Sequence, residues 1–325
     1  MKKIKSIFIV NSHPNHADIL DYVYGPQRRQ WIADNTDLYP VVINESNFDE
    51  HADQLADVEV AFSTWGMPTL REDQIDKLKG LKCLFYAAGA TPFRQPYLDR
   101  GVTVCSATEA NAVPVAEFCL AQILLATTGF FRNTRLYKRK PTAEERQEWT
   151  GRGNYGARIA LIGAGTISNK LQELLKPFNL EVIVVPSRPE RRTISLEEAF
   201  ATSYVVSNHL PNRDDNVKVL DEHLFQLMPK GATFINTGRG RQVDEDALVK
   251  VLTERPDLTA LLDVQFPEPP EDDSMLYKLP NIQLSTHIAG SKNDEVGRMA
   301  DYMISDFKHY AAGEPMDYVV KADQL

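Results

Sequence analysis

Three polar residues far apart in the chain, Arg239 in INTGRGRQVDE, Glu268 in LLDVQFPEPP and His287 in STHIAGS, carry side chains that together can handle a carboxylate and a proton. A guanidinium grips a carboxylate through its fork and polarises a neighbouring carbonyl. An imidazole exchanges a proton with an oxygen near neutral pH. A Glu268 carboxylate beside that imidazole would favour its charged form and fix the ring. Gly238 and Gly240 flank Arg239 and leave room for a ligand to come close. Each residue also has a plainer reading. A histidine after a strand is often structural, and Glu268 lies in a proline-rich loop that could be ordinary surface.

A glycine loop supplies the partner for this chemistry. In RIALIGAGTISNKLQELL, Gly163-Ala164-Gly165 follows a strand pattern and precedes a helical one, the context in which G-x-G binds a dinucleotide. Gly163 permits the tight turn; Gly165, with Thr166 and Ile167 behind it, lets the backbone approach a pyrophosphate at the helix N-terminus. Ser168 stands where the fingerprint has its third glycine. The next strand ends EVIVVPSRPERR, with no acid at its tip. Ser187 and Arg188, backed by Arg191 and Arg192, could instead receive a 2′-phosphate, so NADP is expected in preference to NAD. The alternative is that these arginines are solvated surface charge. His209 in SNHLPN is expected to shape the cofactor loop together with Pro211. Beside a nicotinamide, Arg239, Glu268 and His287 suggest reduction of a 2-keto acid, or its reverse, with His287 as the acid or base.

These residues converge only if the elements bring strand ends together. Strand patterns fall at 6–10, 39–43, 58–63, 83–87 and 102–105, and again at 158–162, 181–185, 204–207, 233–235, 260–262 and 283–285, with helical patterns between them. Such alternation predicts an α/β fold with parallel sheets, the first half flavodoxin-like and the second of dinucleotide-binding size. A long helix at 113–126 and a polar, basic stretch from Arg132 to Tyr155 lie between the series; the stretch reads as a solvated connection or subunit-facing arm. The length of 325 residues fits about two domains. Thirty-six Lys and Arg against 45 Asp and Glu, net −9, argue against nucleic acid as a partner. Cys83, Cys105 and Cys119 lack metal or redox spacing and read as reduced core residues. His13, His16, His51, His223 and His309 are scattered, so no metal site is expected. The apolar run Phe118 to Phe131 falls short of the roughly 20 residues of a membrane span, and a cytoplasmic location is the default expectation.

Taken in order, AFSTWGMP, the AAGA loop, VTVCSATEANAVPVAEF, LIGAGTIS, NHLP, INTGRGRQVDEDAL, LLDVQFPEPP and STHIAGS resemble the D-isomer-specific 2-hydroxyacid dehydrogenase family across nearly the whole chain. The resemblance implies two doubly wound parallel-sheet domains, a Rossmann cofactor domain at 106–291 inserted into a flavodoxin-like substrate domain made of 1–105 and 292–325. It implies an active site in the cleft between them that closes to exclude water, with Arg239, Glu268 and His287 as the catalytic trio. It also implies backbone amides at Ala88, Gly89 and Ala90 on the substrate carboxylate, with Trp65 nearby, and Asp263 on the nicotinamide amide, with Thr237, Gly238 and Ala289 completing the cofactor shell. The loop ATPFRQPY departs from the usual family pattern and places Arg94 near the pocket, either meeting a second anionic group or pointing outward. A homodimer joined through the cofactor domain is expected. The expected substrate is a small 2-keto or D-2-hydroxy acid of the glyoxylate or hydroxypyruvate type, or a sugar-derived acid; the rival reading is a non-catalytic, cofactor-sensing protein on the same fold.

Overall fold

The structure, a computed structural model, describes residues 3–12 and 18–321; His13 and His16 lie outside the described residues. The chain forms two compact units, one made of 1–111 and 291–325, the other of 112–290.

The first unit holds five parallel strands, β1 (Lys5–Phe8), β2 (Asp37–Leu38), β3 (Val60–Ser63), β4 (Cys83–Tyr86) and β5 (Thr103–Ser106), in the order β2-β1-β3-β4-β5. This is the flavodoxin-like order. β3 and β4 are buried along their whole length, as strands covered on both faces must be. Helices Ile19–Val23, Gly25–Asn35 and Val296–Ala312 cover one face, where Phe307 meets the rings of Phe62 and Phe85 at 5.4 and 5.9 Å. The second strand forms at 37–38, ahead of the 39–43 pattern read from the sequence, and residues 39–43 add only an isolated bridge from Ile43 to Ile9. Pro40 explains the loss, since it has no amide hydrogen for the ladder.

Six parallel strands form the sheet of the second unit: β6 (Arg158–Ile162), β7 (Glu181–Val185), β8 (Val205–Asn208), β9 (Thr233–Asn236), β10 (Thr259–Leu262) and β11 (Ile282–Leu284). Their order is β11-β10-β9-β8-β6-β7. Counted from its own first strand the sheet reads 2-1-3-4-5-6, a doubly wound sheet that lacks the outer strand 3 of the 3-2-1-4-5-6 dinucleotide fold and carries one more strand at the opposite edge. Helices Leu196–Thr202, Glu222–Leu227 and Glu245–Glu254 pack on one face around Phe200, Phe225 and Phe234. Ser195 and Asp221 start the first two of these by accepting the amides of Glu198 and Leu224 at 3.0 and 3.1 Å.

The other face is covered by helices Thr108–Thr127 and Thr166–Leu175. The former begins at Thr108, ahead of the Val113 start read from sequence, because Pro114, which resembles a first-turn proline, sits inside it. The earlier start makes this helix long and apolar enough, by length and composition, to cross a membrane, a length that the run Phe118 to Phe131 does not reach. Its Val115, Ala116, Cys119, Ile123 and Ala126 are core residues, packed with Ile159, Leu161 and Ile235.

Candidate active site

In the second unit the strand order reverses between β6 and β8, and ligands of doubly wound sheets bind beyond the carboxyl ends of the strands at such a point. Here the loops after those strands meet. Gly163 has φ +113°, and a Cβ on it would lie 2.5 Å from the carbonyl oxygen of His209, so only glycine fits. Ser168, in place of a third glycine, is buried and donates to the Gly163 carbonyl at 2.6 Å. Gly165 begins the helix Thr166–Leu175 without a side-chain cap, and the space its Cβ would enter is open. Uncapped amides, a positive helix end and open space beside Gly165 fit a dinucleotide pyrophosphate, with Thr166 and Ile167 in the first turn.

His209 is buried between Ser207 Oγ, 2.9 Å from Nε2, and Thr237 Oγ1, 3.4 Å from Nδ1. Burial pushes its pKa down to about 4, so it is neutral and shapes the loop. Exposed Pro211 follows. At the tip of β7, Ser187 is half-buried and Arg188 exposed. Arg192 braces the tip by donating from Nε and Nη2 to the carbonyls of Pro186 and Ser187, each at 2.9 Å. The Arg213 fork, with Arg188 adding its charge, holds the Asp215 carboxyl below the usual carboxylate range.

Arg239, Glu268 and His287 follow β9, β10 and β11, three adjacent strands. His287 Nδ1 lies 2.8 Å from Glu268 Oε1, and the two side chains are 45% and 38% exposed, so a substrate can reach them. With Nδ1 engaged, Nε2 is the nitrogen left for a substrate proton. Arg239 donates from Nη1 to the Gly238 carbonyl at 2.7 Å. A Cβ on Gly240 would overlap the Gln265 carbonyl carbon at 1.9 Å, so the Arg239 loop packs directly on the backbone leading to Glu268.

His287 has φ +55°, a left-handed conformation that is uncommon outside glycine. Asp263 holds it there. Its carbonyl accepts the His287 amide at 3.0 Å, and its carboxylate accepts Ser285 Oγ at 2.6 Å and the amides of Ile288 and Ala289 at 2.9 Å each. Asp263 is 2% exposed. The carboxylate expected on the nicotinamide amide thus also holds the His287 turn, with three donors on its two oxygens. A lone aspartate after a strand gives no sequence signal of this.

In the first unit, the carbonyls of Ala88 and Gly89 accept from Ser106 Oγ, and that of Gly89 also from Thr108 Oγ1. The amide of Ala88 donates to the Tyr86 carbonyl at 2.8 Å, so of the three amides expected on a substrate carboxylate, that of Ala88 is engaged in a turn. Trp65 is half-buried against the core. Arg94 is only 9% exposed and its Nη1 donates to the Thr91 carbonyl at 3.3 Å, which rules out the outward-pointing surface arginine.

Sequence reasoning missed several residues around the site. Asn208, Asn236 and Gln242 form a buried amide cluster beneath Arg239. Glu245 accepts the Phe266 amide at 2.8 Å. The run Q-x-x-E after R-G was the available signal. In the first unit, Asp306, His309 and Asp317 bring their ligand atoms within 4.8 Å of one another, which spacing did not reveal. The buried Asp306 carboxylate there accepts the amides of Asp317 and Tyr318 at 2.8 and 3.0 Å.

Residues 120–289 match the family described as D-isomer specific 2-hydroxyacid dehydrogenase, NAD binding domain. A chloroplastic D-3-phosphoglycerate dehydrogenase 2 of Arabidopsis thaliana is 31% identical over 210 residues, 62% of this chain and 33% of that protein. A glyoxylate reductase of Aeropyrum pernix is 33% identical over 168 residues, 49% of this chain and 50% of that one. The chain thus spans about half, or less, of the length of these curated relatives. A phosphoglycerate oxidoreductase from Rhizobium etli superposes with a TM-score of 0.81 at 21% identity, covering 99% of each chain, a likeness of fold.

Proposed function

Because the chain belongs to the D-isomer specific 2-hydroxyacid dehydrogenase family, we propose that it reduces a small 2-keto acid to the 2-hydroxy acid, or runs the reverse, with a nicotinamide dinucleotide. The observation that carries this reading is the Glu268–His287 pair at 2.8 Å, which leaves Nε2 of a half-exposed imidazole for the substrate. When bound, the reduced nicotinamide supplies a hydride to the carbonyl carbon. His287 Nε2 gives its proton to the carbonyl oxygen as negative charge develops there, and Glu268 stabilises the imidazolium before it is discharged. Arg239 binds the substrate carboxylate and polarises the carbonyl. Asp263 holds the turn so that the imidazole arrives oriented.

Glyoxylate and hydroxypyruvate are the proposed substrate type, and NADP the preferred cofactor, on the strength of a β7 tip with Ser187 and Arg188 and no acid. Purified protein offered a panel of 2-keto acids, including larger hydroxylated ones, should oxidise NADPH with at least one of them. Dinucleotide binding without turnover of any acid, in either direction, would sink the proposal in favour of a cofactor-sensing protein. Arg188→Ala should weaken NADPH by about tenfold and NADH far less, the scale of one charge-assisted contact. Equal losses would remove the 2′-phosphate assignment.

A further inference from the structure

The family chemistry uses Arg239, yet nothing in it says how the guanidinium is kept in place or how its loop senses the cofactor. Beneath that loop lies a cluster of three side-chain amides, each no more than 1% exposed: Asn208 at the end of β8, its ladder partner Asn236 at the end of β9, and Gln242. Gln242 is bonded at both ends. Its Oε1 accepts Asn208 Nδ2 at 2.7 Å and the Arg239 amide at 3.1 Å. Its Nε2 donates to the carbonyls of Leu210 and Pro211, both at 2.8 Å. Asn208 also donates to Asn236 Oδ1 at 2.9 Å and accepts the Leu210 amide at 3.2 Å, and Asn236 Oδ1 accepts the Gly238 amide at 3.1 Å.

This cluster joins two loops. One is the 209–211 loop, which Gly163 packs against at the strand reversal. The other is Gly238–Arg239. There is no slack between them, because a Cβ on Gly238 would lie 2.7 Å from both Asn208 Nδ2 and Gln242 Oε1. Buried amides with all partners satisfied hold one arrangement, since breaking any bond leaves an unpaired polar group in the core.

We infer that Gln242, supported by Asn208 and Asn236, is a positioning residue that couples dinucleotide binding at the 209–211 loop to the placement of Arg239 for the substrate carboxylate. The inference rests on the proposed 2-keto acid chemistry only for its kinetic readout. Ordering of residues 209–211 by a dinucleotide passes through Gln242 Nε2 and Oε1 to the Arg239 backbone, so the substrate site is completed after the cofactor binds.

Gln242→Met keeps the volume and removes all four bonds. In steady-state kinetics with NADPH and NADH it should raise KM for the 2-keto acid by about tenfold, the scale of one lost hydrogen bond, while the dinucleotide Kd changes less than about threefold. A fall in kcat alone, in proportion to the folded fraction and with KM unchanged, would show a purely structural role and overturn the inference. Hydrogen exchange supplies a readout that needs no turnover, and its wild-type arm stands without the variant. Saturating wild-type protein with NADPH or NADH should slow exchange of the amides of 238–242, and the Met variant should lose that response. A bound cofactor that leaves 238–242 unprotected in the wild type overturns the coupling even if the variant fails to fold. Absence of turnover with protection intact would instead sink the proposed reaction and keep the coupling.

Discussion

His287 owes its pose to two carboxylates with separate tasks. Glu268 takes Nδ1 at 2.8 Å, and Asp263 holds the backbone in a conformation that costs about 1–3 kcal/mol for a non-glycine residue. General acid catalysis by a positioned imidazole contributes roughly 10²–10⁴ in rate, so His287→Ala should lower kcat by that order while the dinucleotide Kd stays near wild type. A variant that kept the full rate would remove His287 from the mechanism. At this scale the sequence was informative for Arg239, Glu268 and His287, whose types announce chemistry. It was silent on Asp263 as a turn anchor, because a carboxylate's partners are set by what folds around it.

Among the elements, the segment after β9 and the loop after β10 act as one clamp. Gly240 seats on the Gln265 backbone, and Glu245, at the start of the helix Glu245–Glu254, accepts the Phe266 amide. Burial pushes the Glu245 carboxyl up to about 7; the Phe266 amide and Lys218 oppose the shift and Asp246 adds to it. In the unfolded chain the same group loses its proton near 4.5. Between those values the folded state binds more protons, so this group's contribution to stability falls as pH rises through the window and is level above it. Glu245→Gln keeps an acceptor for Phe266 and removes the titration. The denaturation midpoint of the wild type should therefore drop further from about pH 5 to about pH 8 than that of the variant. His209, depressed to about 4, works in the opposite sense at lower pH but is common to both proteins and cancels in the comparison. Parallel curves for the two proteins would show that Glu245 titrates normally.

For the whole molecule, two parallel sheets repeat one architecture, each with its own pair of covered faces. The second unit leaves large apolar side chains in water along one stretch of chain: Leu125, Phe130, Tyr137 and Tyr155, the last 86% exposed. Large apolar side chains left exposed are characteristic of a surface that is covered in use, and we propose that this stretch is covered by a second copy of the chain. Light scattering should report twice the 36.7 kDa chain mass, and Phe130→Asp should shift it towards the single-chain value. A monomer at micromolar concentration would leave that surface without its proposed partner.

Local order made much of this legible in the sequence. Alternating β-branched runs and helical periods marked ten of the eleven strands of the two sheets, the exact limits of β6 and β7 included, while β2 formed at 37–38, just ahead of the 39–43 pattern; the G-x-G turn lay between strand and helix as its spacing required. Polar residues that follow strands could be named because a parallel strand delivers its next residues to one edge of the sheet. The tertiary structure decided what periodicity does not carry: that β6 lies between β7 and β8, that Pro114 sits inside a helix, that Ala88 turns its amide to Tyr86, and that Gln242 links two loops. Each depends on which groups are left to pair once distant segments are side by side, and hydrogen-bond partners in a core are chosen by that neighbourhood rather than by position along the chain.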